Sequence, residues 1–141
     1  MKKTLMLLSA GFILAATSCK KDDDCDLNTG NFAGTYKISS VKYKANSSTP
    51  EADITSVEFD ACELDNLHKF NSGGVYSYQV AGTACSPEDD NYNDTWSLSG
   101  STVTVEGESS TVSSFSCNGF SISDNDVLNT GDTYTINFVK Q

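Results

Sequence analysis

The sequence predicts an all-β fold, a small eight-stranded up-and-down antiparallel barrel crosslinked by disulfides. Helical periodicity is almost absent, and short runs rich in Thr, Ser, Val and Tyr alternate with turns rich in Gly, Asn and Asp. Four cysteines remain beyond Cys19 to crosslink such a domain. A two-sheet sandwich fits the same pattern, but closing the sheet removes its exposed edges.

The first predicted strand covers residues 35–43. Its apolar side chains change phase at Ser39-Ser40, which predicts a β-bulge in a tightly curved strand. Residues 54–59 add a short extended piece before the second strand at 67–70. A Gly-rich turn at 71–74 then predicts a hairpin. The remaining strands are expected, in order, at 75–80, 95–98, 102–106, 111–117, 120–123 and 133–140.

The N-terminus has the composition of a secretory signal peptide. Lys2 and Lys3 precede an apolar run from Leu5 to Ala16, and small residues follow. The run is shorter than the roughly twenty residues that a membrane-spanning helix needs. We therefore expect residues 1–18 to be a signal peptide.

Ala16-Thr17-Ser18-Cys19 resembles a bacterial lipobox, although leucine is commoner at the Ala16 position. The resemblance implies that Cys19 carries the lipid anchor of a lipoprotein, and more than one acyl chain gives stable membrane attachment. With Cys19 lipidated, four of the five cysteines remain, an even set. An ordinary signal cleavage nearby, with Cys19 as a free thiol, is the alternative.

Residues 20–24, with the sequence Lys-Lys-Asp-Asp-Asp, predict a solvated linker. This tract is similar to the one that exports lipoproteins to the outer face of the outer membrane in Bacteroidota-type bacteria. The resemblance implies a cell-surface location, with retention on the periplasmic side as the alternative. We expect a lipidated flexible tether at 19–33 and one barrel domain at 34–141.

The charge balance excludes several classes of partner. Removal of residues 1–18 leaves seven lysines against 19 acidic residues, and the chain contains no arginine. Nucleic acid is therefore not an expected partner, because its phosphates need a basic footprint. An anionic ligand is disfavoured as well, since the planar guanidinium that clamps phosphate or carboxylate is missing.

Cys25, Cys62, Cys85 and Cys117 allow three disulfide connectivities. The loop between Cys62 and Cys85 has the size of a hairpin, which favours that pair, and Cys25–Cys117 follows by elimination. The second bond would join the end of the tether to the domain. Metal binding by these residues is not expected, because no Cys-x-x-Cys pair exists and the chain has one histidine.

No constellation in the sequence indicates an enzyme or a cofactor. His68 lies in a strand-like context and is expected at the barrel surface, and no nucleophile elbow is present. Asp89, Asn91 and Asn93 have a calcium-loop spacing, but Asp94 stands where that loop needs glycine. A solvated loop is the simpler interpretation.

Six short segments follow one another in an order that is typical of one barrel family. They are Gly34–Ile38, the cysteine turn Asp60–Asn66 with Phe70, the turn and aromatic strand Asn71–Tyr76, the second cysteine segment Cys85–Pro87, the strand and turn Thr95–Gly100, and the terminal strand Ile136–Lys140. Together, residues 34–141 resemble the lipocalin-like domains carried by many bacterial surface lipoproteins. Tyr36 stands where the family usually has tryptophan, and Lys140 where it often has arginine, so a Tyr36–Lys140 cation–π contact is expected.

The resemblance implies a non-enzymatic protein that binds a small hydrophobic molecule in the barrel; the charge balance makes that molecule neutral or apolar. The aromatic residues that would form the ligand wall are Tyr36, Tyr76, Tyr78, Trp96, Tyr134 and Phe138. Packing of the core is the alternative role for these rings. In that case the barrel is solid and serves as an interaction module, which docks another envelope protein or a surface glycan through an outer face or the loop at 81–94.

Overall fold

A computed structural model describes residues 25–141, which form two short helices and nine strands. The elements are α1 (Thr29–Phe32), β1 (Gly34–Lys44), β2 (Ala52–Asp53), α2 (Thr55–Glu58), β3 (Leu67–Asn71), β4 (Val75–Gln79), β5 (Tyr92–Ser99), β6 (Thr102–Val105), β7 (Glu108–Ser116), β8 (Gly119–Asn125) and β9 (Thr133–Lys140). Within this part of the chain, no helix has the length and hydrophobicity to cross a membrane. The predicted signal peptide, Cys19 and residues 20–24 of the tether lie outside the described residues.

The strands form one antiparallel sheet that closes on itself. Each strand from β3 to β8 pairs with the next along the chain, and β1 pairs with both β3 and β9. Eight strands therefore complete the ring, and β2 adds a two-residue ladder to the outer end of β1. The predicted eight-stranded barrel is confirmed, and the sandwich is excluded.

The chain between β1 and β3 differs from the predicted extended piece at 54–59. The Asp53 carboxylate accepts hydrogen bonds from both the amide and the hydroxyl of Thr55, at 3.0 and 2.6 Å. This local bonding turns the backbone and starts α2, because short polar side chains compete with the sheet for backbone groups. A four-residue helix is too short for a periodic signal in the sequence.

The predicted bulge in β1 is present. The register of β1 against β9 shifts between Ile38 and Ser40, so that Ile38 faces Phe138 and Val41 faces Ile136. The extra residue returns the apolar side chains on both sides of the bulge to the barrel interior, where Ile38 and Val41 are buried.

One end of the barrel is closed by α1. The side chain of Phe32 is fully buried, and its ring lies 4.5 Å from that of Phe120 and 5.1 Å from that of Phe70, between ring centroids. The Tyr36 hydroxyl donates a 2.8 Å hydrogen bond to the carbonyl of Phe32, which fixes the helix to β1. The domain therefore starts before residue 34: residues 25–33, expected in the tether, belong to the folded unit.

Two disulfides crosslink the domain, Cys62–Cys85 and Cys25–Cys117. These are the pairs that loop length and elimination favour in the sequence. The first joins the loops on either side of the β3–β4 hairpin. The second holds the N-terminus of the described chain against the β7–β8 turn, next to α1.

Candidate functional site

The two ends of the barrel differ in the length of their connections. At the closed end, α1 lies among tight turns at 72–74, 100–101 and 117–118. The opposite end, called the mouth here, carries the longer segments at 45–66, 80–91 and 126–132 and the short turn at 106–107. The closed end is therefore covered by α1, and the longer connections surround the mouth.

A partly enclosed cavity of about 150 Å³ lies in the interior. Its wall is mostly apolar and includes Phe70, Val103, Phe120 and Phe138, with His68 and Tyr76 as the polar members. The space below it is filled by the rings around Phe32. An apolar cavity of this size can hold a molecule as large as benzene. The cavity is smaller than most ligand pockets, which measure a few hundred Å³.

The structure divides the six aromatic residues that the sequence proposes as a ligand wall. Tyr76 and Phe138 line the cavity. Tyr36 and Trp96 are buried in the cluster below it, where the Trp96 indole donates a 2.9 Å hydrogen bond to the carbonyl of Asn71. Tyr78 and Tyr134 are half-buried and are not among the cavity-lining residues. The set therefore serves both packing and the cavity.

His68 lines the cavity, so its expected place on the barrel surface is wrong. In the register of the sheet it pairs with Tyr36 on one side and Tyr78 on the other. Tyr36 faces the barrel interior, and residues directly paired across strands share one face of the sheet. The run Leu67–Phe70 carries apolar residues in both phases, so alternation within this strand alone could not assign the face of His68.

A group of phenols connects the cavity with the mouth. The Tyr76 hydroxyl lies 2.7 Å from Nδ1 of His68, and the Tyr92 hydroxyl donates a 2.7 Å hydrogen bond to the Glu106 carboxylate. The ring of Tyr78 stacks on that of Tyr92 at a centroid distance of 5.1 Å. Tyr92 and Glu106 did not emerge from the sequence as site residues, because they lie in or next to turn-like polar segments.

Burial sets the protonation of these groups. It lowers the pKa of His68 to about 4, so the imidazole is neutral at pH 7. It also raises the pKa of Tyr92 to about 12, together with the hydrogen bond to Glu106. Burial raises the pKa of Tyr76, and the nearby side chains of Tyr92 and Glu106 raise it further. All three rings are therefore uncharged.

The surface around the mouth is acidic. Glu58, Glu106 and Asp126 all belong to the segments at the mouth and are exposed, whereas the tight turns at the closed end contain no acidic residue. The Glu58 carboxylate accepts a 3.0 Å hydrogen bond from Tyr134 at the rim. This asymmetry gives the entrance a negative potential, which disfavours anions.

No metal site is formed by the residues that the structure describes. Among them, no three His, Cys, Asp or Glu side chains come together with the geometry of a metal centre. In the loop with calcium-like spacing, Asp89 accepts the amide of Ser86 at 2.7 Å and Asn91 accepts the amide of Val80 at 2.7 Å. These oxygens are used to shape the loop.

A second depression, an open groove of about 340 Å³, lies beside the β7–β8 hairpin. Its polar side chains are bonded to one another: Ser114 donates to Ser121 at 3.0 Å, and Ser121 donates to Asn137 at 2.6 Å. Asn137 in turn donates to Ser40 at 2.9 Å. The groove therefore offers few free hydrogen-bonding groups, and the interior cavity is the better candidate site.

Comparison with known proteins agrees with the closed ring and its interior cavity. One protein family, described as the lipocalin-like domain, matches residues 32–139. No curated protein and no solved structure matches the chain. The matched segment starts at Phe32, the residue that closes the barrel, and ends in β9. Because this match covers most of the chain, the protein belongs to the family of lipocalin-like domains.

Proposed function

We propose that this protein is a non-enzymatic, lipid-anchored surface lipoprotein whose barrel binds a small apolar or neutral molecule. The observation that carries the proposal is the apolar cavity of about 150 Å³ in a barrel of the lipocalin-like family. The cavity suits one ring or a short chain, and a larger ligand would leave part of itself in the mouth. The acidic mouth supports a ligand without negative charge.

Binding can be tested with toluene as the probe, titrated into the full chain carrying Cys19→Ser so that no lipid is attached. We expect saturable binding by calorimetry or by NMR shifts of cavity residues. Val105→Phe should weaken it at least about 10-fold, because the new ring occupies the cavity that Val105 lines. Val75→Phe is the matched control, since Val75 is 45 % exposed. Absence of binding, or equal loss in both variants, would reject the cavity as the site.

The membrane anchor is proposed from Cys19, which the lipobox-like sequence singles out. Cys25 is tied to Cys117 at the closed end, and six residues of chain span at most about 20 Å. A lipid on Cys19 would therefore hold the closed end towards the membrane and leave the mouth facing away from it. We expect Cys19→Ser to release the protein into the soluble fraction; a variant that stays with the membrane would contradict lipidation.

The cell-surface location is a separate proposal, supported by the Lys-Lys-Asp-Asp-Asp tract at residues 20–24. Protease added to intact cells should digest the domain if it faces outward. The control is a strain in which this tract is replaced by uncharged residues. Protection of the unmodified protein would place it on the periplasmic side.

A second function is supported by apolar side chains exposed at the mouth. Val57 in α2 and Leu128 in the β8–β9 loop are 79 % and 64 % exposed. Such residues could dock an envelope protein, whereas the residues 81–94 expected for this role expose only Tyr92 among the large hydrophobic side chains. Native mass spectrometry separates the two functions. A co-purifying small molecule supports the carrier, and a stable protein complex that Val57→Asp disrupts supports docking.

A further inference from the structure

The aromatic side chains of β3, β4 and β5 form a continuous wall from the cavity to the mouth. The first members of this wall, His68 and Tyr76, line the cavity. The ring of Tyr78 lies edge-on to His68 at a centroid distance of 5.4 Å, and Tyr92 stacks on Tyr78 at 5.1 Å. In the register of the sheet Tyr78 is paired with both His68 and Tyr92, so the three rings share the interior face. The wall therefore extends the interior surface beyond the cavity.

Tyr92, the last ring of the wall, is bonded to a carboxylate. The residue is 43 % exposed although Tyr78 stacks on one face of its ring, so part of the ring remains free. Its hydroxyl donates a 2.7 Å hydrogen bond to Oε1 of Glu106, and Oε2 has no hydrogen-bond partner among the described residues. Glu106 directly follows Val105, which lines the cavity. An aromatic ring and a negative group thus adjoin each other next to the cavity wall.

The interior face at the mouth carries negative charge and no lysine. Glu108 is exposed and is paired with Val105 in the register of the sheet, so it shares the face of that cavity residue. Five lysines lie within residues 25–141. Lys140 is at the closed end, and each of the other four directly follows an inward-facing residue of its strand, so it points to the outer face. A cationic group of a ligand would therefore meet no competing lysine of the described chain at this place.

We propose that Tyr92 and Glu106 form a subsite for the protonated amine of a ligand whose apolar body occupies the cavity. This inference rests on the proposed function for the apolar body and goes beyond it for the charged group. The face of a tyrosine ring attracts a cation. Because Glu106 is bonded at the edge of the Tyr92 ring, an ammonium group over that ring can also reach the free Oε2. The charge stays in the mouth, since burying an unpaired ion in the apolar cavity is costly.

The test compares phenethylamine, which is protonated at pH 7, with propylbenzene, which has nearly the same shape and no charge. Both compounds are titrated into the full chain carrying Cys19→Ser. We expect both to bind, because each carries a phenyl ring that the cavity can hold. Binding of propylbenzene without binding of phenethylamine would overturn the inference and leave the proposed function standing. If neither compound binds, the proposed function and the inference both fail.

Two variants locate the amine. The affinity of phenethylamine relative to propylbenzene should fall at least about 5-fold in Tyr92→Leu, which removes the ring, and also in Glu106→Gln, which removes the charge and keeps the shape. Tyr134→Leu is the control for the ring, because β9 lies across the barrel from β5 and Tyr134 is likewise bonded to a carboxylate. Asp26→Asn is the control for the charge, since Asp26 is exposed at the closed end. An equal fall in a control variant would overturn the assignment to Tyr92 and Glu106.

The orientation of the bound amine gives an independent readout. In NMR spectra of the complex we expect nuclear Overhauser contacts between the methylene protons next to the nitrogen and the ring protons of Tyr92. The phenyl protons of the ligand should contact Val103 and Phe138, which line the cavity. The opposite orientation, with the phenyl ring on Tyr92 and the nitrogen end in the cavity, would overturn the inference while the cavity remained a binding site.

Discussion

The ammonium group of Lys140 lies 5.7 Å from the centroid of the Tyr36 ring. The same group donates hydrogen bonds of 3.3 Å to the carbonyls of Asn31 and Ala33. The penultimate residue of the chain thereby joins the end of β9 to α1 and the start of β1. The expected Tyr36–Lys140 contact is confirmed, and it stabilises the closed end together with the buried ring of Phe32.

Replacement of Lys140 by Met keeps the apolar stem and removes the charge and the donors. We expect Lys140→Met to lower the free energy of unfolding by about 1–2 kcal/mol, from the cation–π contact and the carbonyl hydrogen bonds. Urea unfolding measures this change. Lys69→Met is the control, because no ion pair or side-chain hydrogen bond holds Lys69 among the described residues. Equal effects of the two variants would show that the closure is not a stabilising contact.

Two glycines that lie in strands, Gly119 and Gly34, should differ in how well the fold tolerates their replacement by alanine. A Cβ at Gly119 would overlap the backbone carbonyl of Phe138 in the neighbouring strand, which cannot move without disturbing the β8–β9 ladder. A Cβ at Gly34 would come within 2.6 Å of Cε of Lys140, close to the free end of a flexible side chain. We expect Gly119→Ala to cost about 1–3 kcal/mol and Gly34→Ala to cost less. Thermal unfolding of both variants tests this order, and the reverse order would contradict the packing described for β8 and β9.

The two disulfides should differ in their contribution to stability. Cys25–Cys117 joins residues 92 positions apart, and Cys62–Cys85 joins residues 23 positions apart. In the chain-entropy view, the longer loop removes more freedom from the unfolded chain, about 4–5 kcal/mol against about 3. The paired variants Cys25→Ser/Cys117→Ser and Cys62→Ser/Cys85→Ser should therefore lose stability in that order. A larger loss for the short loop would show that native contacts, rather than chain entropy, decide the effect.

Sequence patterns predicted the ring of strands because local alternation is strong in most of them. The run 133–140 alternates cleanly and corresponds to β9, and the phase change at Ser39-Ser40 predicted the bulge in β1. Each of these features is encoded within a few neighbouring residues. Strand ends carry less local signal, and β5 starts at Tyr92, inside the segment expected to be a polar loop.

The residues that the sequence misplaced depend on contacts between distant segments. Phe32 follows Asn28–Asn31, a polar stretch without periodicity, so nothing local marks it as the residue that closes the barrel. His68 faces the cavity because of its pairing with Tyr36 and Tyr78, which only the closed sheet determines. The link between Tyr92 and Glu106 joins the start of β5 to the turn after β6. Such relationships arise from the register of the barrel and have no signature in the strands taken singly.

The last prediction concerns His68 and the dependence of stability on pH. Burial lowers the pKa of His68 in the folded protein to about 4, against about 6.5 in an unfolded chain. Between these values the unfolded chain binds a proton that the folded protein does not. Stability should therefore be highest above about pH 6.5, fall as the pH drops to about 4, and lose nothing further from this group below that value. The full difference amounts to about 3 kcal/mol.

The loss of stability between about pH 6.5 and pH 4 is assigned to His68, because the chain has no other histidine. Carboxylates with lowered pKa values contribute to stability until the pH falls below about 4. Asp132 illustrates the second point. Burial opposes its ionisation, but hydrogen bonds from the amides of Asn129, Val127 and Leu128 outweigh that effect and lower its pKa, so its stabilisation is lost only as the pH falls below about 4. Urea unfolding between pH 7 and pH 4.5 should therefore show a decline in the unmodified protein and a nearly flat profile in His68→Gln. Parallel profiles would mean that the imidazole is protonated equally in both states and does not face a buried cavity.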